Sequence, residues 1–264
     1  MSPVVIGNAV LYLGDCREIL PELAQCQLCE GSGWVVPMGA PDQICWDCGG
    51  TGITRFVVIT DPPWDQAKGI PGADDPRGLF AAVAPAISKS RCAAIQLGCY
   101  TDPCFCSPLA ALMPYLHTCW LRYIPPSYNG RILVEADVAY VYGKAPQSAP
   151  GRRVLPATVQ STAREPSERD FLKRHGRNRT SKESAATIAA QKHPMPRVLK
   201  HVRWLVEWHS DASETICDPF MGSGTAGVAA ADLGRPFIGI EIDQNYFDLA
   251  CERIEQAQRQ QRIA

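Results

Sequence analysis

The chain has 264 residues, 46% of them apolar, which is enough for one sizeable α/β core. It contains no run near the ~18 apolar residues of a membrane span, and its start, Met1 to Val5, has no basic leader and no cleavage-like site, so we expect a protein of the reducing cytoplasm. There the 12 cysteines are thiols or metal ligands and not disulfides, and the formal net charge of −1 gives no overall sign of a polyanionic partner.

The first predicted elements are a short strand, Val10 to Leu13, and a helix over Arg17 to Leu23. Asp15 lies just before the helix, where an aspartate side chain commonly accepts hydrogen bonds from the first turn. The sequence therefore predicts Asp15 as the N-cap of this helix.

Residues 25–54 contain two Cys-x-x-Cys pairs separated by 15 residues. Two closely spaced pairs can supply four tetrahedral ligands, so the pattern predicts a structural Zn²⁺ site. Glycines follow each pair in a form that resembles the Cys-x-x-Cys-x-Gly-x-Gly repeats of DnaJ-type chaperones, with two repeats in place of four. We interpret 25–54 as a zinc-ribbon-like insertion. Its predicted ligands are Cys26, Cys29, Cys45 and Cys48.

The apolar run Phe56 to Thr60 predicts a buried strand that ends at Asp61, because Pro62 and Pro63 remove backbone donors and fix φ. Ligands of open α/β sheets bind beyond the carboxyl ends of the strands. Asp61 and Trp64 are therefore predicted to line a pocket that suits a planar heterocycle. The alternative is a proline-rich turn with a surface tryptophan.

The tetrapeptide Asp61-Pro62-Pro63-Trp64 resembles the catalytic motif of the amino-methyltransferases, which transfer a methyl group from S-adenosylmethionine to an exocyclic amine of adenine or cytosine. The lone pair of such an amine is delocalised into the ring, so it attacks only when acceptors draw on its N–H bonds. The resemblance implies that Asp61 and the Pro62 carbonyl are those acceptors. A base in a duplex must first be flipped out, and stacking on Trp64 would stabilise it there by roughly 1–3 kcal/mol.

Three further apolar runs predict strands that complete the sheet: Cys92 to Leu97, Cys119 to Ile124 and Ala136 to Tyr142. Pro103-Cys104 is the dipeptide in which cytosine-C5 methyltransferases carry their nucleophile, but it lies in a predicted loop and nothing around it supports that role. We assign no chemistry to the histidines, which show no ligand spacing: His117, His175, His193, His201 and His209.

Charge is unevenly distributed along the chain. Residues 151–203 contain 13 lysines and arginines against four acids, so this segment carries +9 and the remainder −10. A positive stripe on an acidic body is the electrostatic footprint of nucleic-acid binding. Residues 147–190 are polar with little periodicity, which predicts either a long loop that orders on DNA or a solvated segment. The resemblance to the amino-methyltransferases implies that this segment is the target-recognition loop. The candidate DNA contacts are Arg152, Arg153, Lys173, Arg174, Arg177 and Arg179.

The segment Thr215 to Thr225 predicts a strand, a glycine turn and the start of a helix. Gly222 and Gly224 permit positive φ and close approach of the backbone to a ligand, and the helix offers unpaired N–H groups at its start. The next strand delivers Glu241, 17 positions after Gly224, in the arrangement in which a carboxylate receives ribose hydroxyls. Together with Gly227 the glycines would also fit a nicotinamide enzyme.

The residues before the glycines distinguish a methyltransferase from a nicotinamide enzyme. Asp-Pro-Phe directly before them resembles the cofactor-binding motif of DNA methyltransferases and is not typical of dehydrogenases. The resemblance implies that S-adenosyl-L-methionine is the cofactor. The residues implied to contact it are Asp218, Pro219, Phe220, Gly222, Ser223, Gly224, Thr225 and Glu241.

The order of the motifs, catalytic tetrapeptide before cofactor loop, resembles the circularly permuted β group of DNA amino-methyltransferases. That resemblance implies a single domain over 1–264 with a Rossmann-like α/β fold, a mostly parallel seven-stranded sheet and helices on both faces. It also implies that Asp15 contacts the adenine of the cofactor, so the helix cap and the cofactor contact both stay open for this residue. The insertion at 25–54 departs from the family pattern, and it either only orders a loop or also contacts DNA.

The resulting hypothesis is a methyltransferase that acts on adenine N6 in double-stranded DNA, because Asp at the first motif position resembles the adenine enzymes. Cytosine N4 is the alternative acceptor. An RNA adenine methyltransferase and a catalytically inactive, zinc-dependent binding module are further alternatives. The sequence predicts no membrane partner and does not decide between a monomer and a homodimer.

Overall fold

The structure, a computed structural model, describes residues 2–25, 34–35, 43–44, 56–64, 74–99, 101–129, 131–146, 155–161 and 197–261. Its strands are β1 (Val4–Ile6), β2 (Ala9–Leu13), β3 (Trp34–Val35), β4 (Gln43–Ile44), β5 (Phe56–Thr60), β6 (Cys92–Gly98), β7 (Tyr115–Asn129), β8 (Ile132–Gly143), β9 (Thr158–Gln160), β10 (Thr215–Asp218) and β11 (Phe237–Glu241). Its helices are α1 (Cys16–Leu23), α2 (Pro76–Ile87), α3 (Ser107–Ala110), α4 (Leu199–His209), α5 (Thr225–Asp232) and α6 (Gln244–Gln261). None of these helices is both long and apolar enough to cross a membrane.

Nine strands form one mixed sheet in the order β1-β2-β11-β10-β5-β6-β8-β7-β9. The strands from β2 to β6 in this order are parallel to their neighbours. At the two ends, β1, β8 and β7 add antiparallel pairs, and β9 runs parallel to β7. The prediction of a seven-stranded sheet is therefore wrong, since the main sheet of the described residues has nine strands. The edge strands β1 and β9 have three residues each, too few to show an apolar pattern in the sequence.

Helices cover both faces of the sheet, as predicted. The side chains of β5 alternate between two cores: Val57 and Ile59 pack with α4, α5 and α6, whereas Phe56 and Val58 pack with α1 and α2. Every residue of β5 and β6 is buried, which is typical of central strands covered on both sides. The covered centre leaves the strand ends as the place for a ligand.

Two predicted segments fall largely outside the described residues. In 25–54 the structure describes Gln25 and the antiparallel pair β3–β4, whereas Cys26, Cys29, Cys45 and Cys48 lie outside. In 147–190 it describes 155–161, where the predicted loop contains a strand instead: β9 pairs with Trp120 to Arg122 of β7. The six candidate DNA contacts also lie outside the described residues: Arg152, Arg153, Lys173, Arg174, Arg177 and Arg179.

Candidate active site

Three carboxylates lie at the carboxyl ends of three neighbouring parallel strands. Asp61 follows β5, Asp218 ends β10 and Glu241 ends β11. Thr60, the last residue of β5, donates its hydroxyl hydrogen to Asp218 Oδ1 at 2.6 Å and thereby joins two of the strand ends. The tetrapeptide and the glycine loop therefore open at one edge of the sheet, where ligands of open α/β sheets bind.

The Asp61 carboxylate is held by two donors. Trp64 donates its indole N–H to Asp61 Oδ1 at 3.0 Å, and Arg197 donates Nη2–H to the same oxygen at 2.9 Å and Nε–H to Oδ2. The Arg197 Cζ lies 4.2 Å from the centre of the Trp64 ring, a cation–π contact. Trp64 is only 6% exposed, which excludes the alternative of a surface tryptophan.

Arg197 also reaches a second carboxylate. Its Nη1–H donates to Asp137 Oδ2 at 2.8 Å, and the same oxygen accepts hydrogen bonds from the Tyr123 hydroxyl and, at 3.5 Å, from the Gln96 amide. Asp137 lies in β8 and Tyr123 in β7, so the antiparallel part of the sheet provides this support. One guanidinium thus serves two acids whose burial without a cation would be costly.

Sequence reasoning did not identify Arg197, Asp137 or Tyr123 as site residues. Arg197 was only one of 13 basic residues in 151–203. A signal was present in Asp137, a charged residue within the apolar run Ala136 to Tyr142, because a buried carboxylate requires a partner. The identity of that partner had no local signal, since 60 positions separate Asp137 from Arg197.

Burial raises the pKa of Asp61 above its ordinary value, while Arg197 acts in the opposite direction and Asp137 adds to the increase. The ionised form of Asp61 is therefore favoured when N–H donors occupy its oxygens. A planar group with N–H donors that lies over Trp64 would satisfy the carboxylate and cover the ring at once. The guanidinium of Arg197 is such a planar group, since it donates N–H bonds to Asp61 and lies over the Trp64 ring.

The predicted cofactor loop is a tight turn between β10 and α5. Gly222 and Gly224 have φ values of 51° and 82°, in the left-handed region that favours glycine. Gly222 donates its backbone N–H to Glu241 Oε2 at 2.7 Å, and Asp243 donates its backbone N–H to Oε1 at 2.9 Å. Burial raises the pKa of Glu241, and these two bonds oppose the increase. The carboxylate is thus fixed beside the loop.

Helix α6 supports the loop from behind. The buried Arg253 donates Nη1–H to the Ser223 carbonyl at 2.5 Å. A Cβ atom at Gly224 would lie 2.8 Å from the Ala250 Cβ, and one at Gly227 would lie 2.4 Å from Ile254 Cδ1. Gly224 and Gly227 therefore both allow close packing of α6, and Gly224 shapes the turn together with Gly222.

Asp218 is buried beneath the turn and not directed to solvent. Its Oδ1 accepts the Thr60 hydroxyl and, at 3.1 Å, the backbone N–H of Phe220. Burial raises the pKa of Asp218 to about 7, and the nearby Asp61 and Glu241 add to the increase. Asp218 thus connects the end of β5 to the backbone of the turn. Ser223 and Thr225 are buried as well.

Asp15 is the N-cap of α1, as its position predicted. Its carboxylate accepts the Arg17 backbone N–H at 2.8 Å and the Arg17 side chain at 2.5 to 3.0 Å, and this partner lowers the pKa of Asp15. Gly14 donates its backbone N–H to the Glu241 carbonyl at 2.8 Å, so Asp15 lies at the same sheet edge as the glycine loop. The cap and the predicted cofactor contact are therefore compatible in position.

Solved structures share this fold. The crystal structure of the M1.HpyAVI–SAM complex superposes with a TM-score of 0.56 at 18% identity, and the match covers 93% of this chain and 99% of that chain. The PvuII DNA methyltransferase, described as cytosine-N4-specific, superposes with a TM-score of 0.59 at 12% identity over 97% of this chain and 93% of that chain.

Sequence comparisons identify the family. Type II methyltransferase M2.DpnII of Streptococcus pneumoniae is 39% identical over 66 residues, and this match spans a quarter of each protein's length. Residues 120–252, from β7 through the glycine loop into α6, match the N6_N4_Mtase family, described as DNA methylase. Because this match covers half of the 264 residues, the chain belongs to the N6_N4_Mtase family of DNA methylases.

Proposed function

We propose that this protein is an S-adenosylmethionine-dependent methyltransferase that methylates the N6 amino group of a flipped adenine in double-stranded DNA. The observation that carries the proposal is the placement of Asp61 and Trp64 beside the glycine loop and Glu241, at one sheet edge. The motif order supports the permuted β group. Family membership and the solved SAM complex of a protein with the same fold support the cofactor.

The loop residues fit this cofactor chemically. Glu241 presents carboxylate oxygens for ribose hydroxyls, and the turn at Gly222 and Gly224 carries no side chain at the positions where its backbone would approach a ligand. α5 begins directly after the turn, so its first N–H groups face the same edge. When bound, S-adenosylmethionine supplies the methyl group on its positively charged sulfur.

The chain's own residues activate the acceptor amine. Asp61 and the Pro62 carbonyl accept the N–H bonds of the amine, which localises the nitrogen lone pair and directs it at the methyl carbon. As the N–C bond forms and the S–C bond breaks, the amine loses one proton, and Asp61, whose pKa is raised by burial, is placed to receive it. Trp64 holds the base plane.

Arg197 occupies these contacts in the structure. It donates N–H bonds to Asp61 and lies over Trp64, the two interactions that a flipped adenine would make. The base therefore has to displace Arg197 from Asp61, after which Arg197 keeps Asp137 as a partner.

The experiment is expression of the protein in a methylation-deficient host, followed by sequencing of the host DNA for modified bases. We expect N6-methyladenine at one recurring sequence, and no modification from Asp61→Ala. N4-methylcytosine in its place would show the alternative acceptor. Unmodified DNA from well-folded, cofactor-binding wild-type protein would contradict DNA methylation and favour an RNA acceptor or a binding module.

A further inference from the structure

Three metal-ligating side chains converge far from the catalytic edge. His117 and Cys119 lie two residues apart in β7, and His209 is the last residue of α4. The Nε2 atoms of His117 and His209 are 3.0 Å apart, and Cys119 Sγ lies 3.7 Å from His209 Nε2 and 4.0 Å from His117 Nε2. Cys119 and His209 are fully buried, and His117 is partly exposed.

The triangle formed by these atoms has the size of one face of a coordination tetrahedron. Zinc–nitrogen bonds of about 2.05 Å and a zinc–sulfur bond of about 2.3 Å place two nitrogens about 3.3 Å apart and nitrogen and sulfur about 3.6 Å apart. The three distances in the protein differ from these values by less than about half an ångström. A cation would need only small side-chain rotations to bind all three atoms.

His209 is oriented as a metal-ligating histidine usually is. Its Nδ1 lies 2.9 Å from the backbone carbonyl of Leu205, to which it donates its proton. This bond leaves the lone pair on Nε2, the atom that faces His117 and Cys119.

We propose that His117, Cys119 and His209 form a binding site for a divalent transition metal, zinc by ligand type, that joins β7 to the end of α4. The donor set of two imidazoles and one thiolate suits borderline-soft cations and not Mg²⁺ or Ca²⁺. On binding, the Cys119 thiol gives its proton to solvent and the thiolate bonds to the metal. The proton between the two Nε2 atoms moves to His117 Nδ1. A water molecule completes the tetrahedron.

This site shares no residue with the candidate active site or with the predicted four-cysteine site. Arg197 precedes α4 and His209 ends it, and α4 alone rises about 15 Å from Leu199 to His209. The bound metal would fix the end of α4 against the sheet and stabilise the folded chain by mass action.

The test must separate this site from Cys26, Cys29, Cys45 and Cys48. We would replace those four cysteines by serine in the full chain, remove metal with a chelator and titrate with Co²⁺. We expect one equivalent to bind, with the visible bands of tetrahedral cobalt and a thiolate-to-cobalt band in the near ultraviolet. His117→Gln should remove both signals, whereas His175→Gln should leave them unchanged.

Cys119→Ser keeps the shape of the side chain and gives a second readout, because it should abolish the thiolate band even if some cobalt remains. In the wild-type background the same substitution should lower the zinc content by one equivalent. A four-serine protein that binds no cobalt, or a thiolate band that persists in Cys119→Ser, would overturn the proposal.

Discussion

The guanidinium of Arg197 and the carboxylate of Asp61 form a bidentate ion pair, with Nη2 2.9 Å from Oδ1 and Nε hydrogen-bonded to Oδ2. The same guanidinium serves Asp137 and covers Trp64. Because the side chains of Arg197 and Asp137 are 11% and 5% exposed, this cluster is shielded from solvent and its charges depend on each other.

Removal of Arg197 should therefore destabilise the protein. We expect Arg197→Ala to lower the free energy of unfolding by about 3–5 kcal/mol, because it leaves the carboxylates of Asp61 and Asp137 without a cation. Combining it with Asp137→Asn should recover part of that loss, since the amide needs no counter-charge and only Asp61 then lacks one. Denaturant unfolding of the two single variants and the double variant measures the coupling. Strictly additive effects would show that the two residues act independently.

Asp61→Asn tests the acceptor role with little change of shape. The amide still offers one oxygen, but its nitrogen donates where the amine of the base also donates. We expect the single-turnover rate of methyl transfer to fall by at least about 100-fold, with little change in the affinity for S-adenosylmethionine measured by calorimetry. A rate near that of the wild type would assign the activation of the amine to another group.

Glu241→Gln should instead weaken the binding of S-adenosylmethionine. The loss of a charged acceptor for ribose hydroxyls should cost about 1.5–3 kcal/mol, or roughly a tenfold to hundredfold weaker affinity for the cofactor. Because Glu241 also accepts the Gly222 N–H, thermal unfolding without cofactor has to be measured in parallel. Weaker binding with an unchanged melting temperature would assign the effect to the ligand contact. A lower melting temperature would assign it to the loop.

The meeting of the tetrapeptide and the glycine loop at one sheet edge could be predicted from the sequence because its signals are local. The apolar run Phe56 to Thr60, followed by two prolines, marks the end of one strand. Gly222 and Gly224 mark a turn after a second strand, β10. Parallel neighbours then bring both ends to one edge, which the pairing of β5 with β10 shows. Short-range patterns were thus sufficient to predict that Asp61, Trp64 and Glu241 lie at the ends of strands that share this edge.

The supporting residues could not be predicted because their partners are distant in the chain. Arg197 meets Asp61 across 136 positions, and His209 meets His117 across 92. His117 and Cys119 point to the same face only because they are two residues apart in a strand, a spacing too common to indicate a ligand pair. Such contacts depend on the order and direction of the strands in the sheet. The sequence did not indicate that β8 and β7 would follow β6 as antiparallel strands.

Stability should depend on pH through Asp218. With a folded-state pKa of about 7 against an ordinary 3.8, the folded protein holds a proton that the unfolded chain releases between these values. Its contribution therefore falls as pH rises from about 4 to about 7 and is constant above that. Asp218→Asn should remove this loss, so its melting temperature relative to wild type should be higher at pH 8 than at pH 5.

Asp15→Asn provides the matched control for this pH dependence. Arg17 lowers the pKa of Asp15, so its contribution is lost only on acidification below the ordinary range. The difference between Asp15→Asn and wild type should then be the same at pH 5 and pH 8. A pH-independent offset for Asp218→Asn as well would mean that Asp218 is ionised throughout this range.

DNA binding should weaken steeply with salt if the basic residues of 147–190 contact phosphates. Each phosphate contact contributes about 0.9 to the slope of log K against log salt concentration. Replacing Arg174, Arg177 and Arg179 by glutamine should therefore reduce the slope by about 2.7, measured by fluorescence anisotropy with a DNA duplex. Arg259→Gln changes an exposed arginine in the last turn of α6 and should leave the slope unchanged. An equal slope for the triple variant and the wild type would make this segment a solvated one, and the positive charge that attracts DNA would then have to come from elsewhere in 151–203.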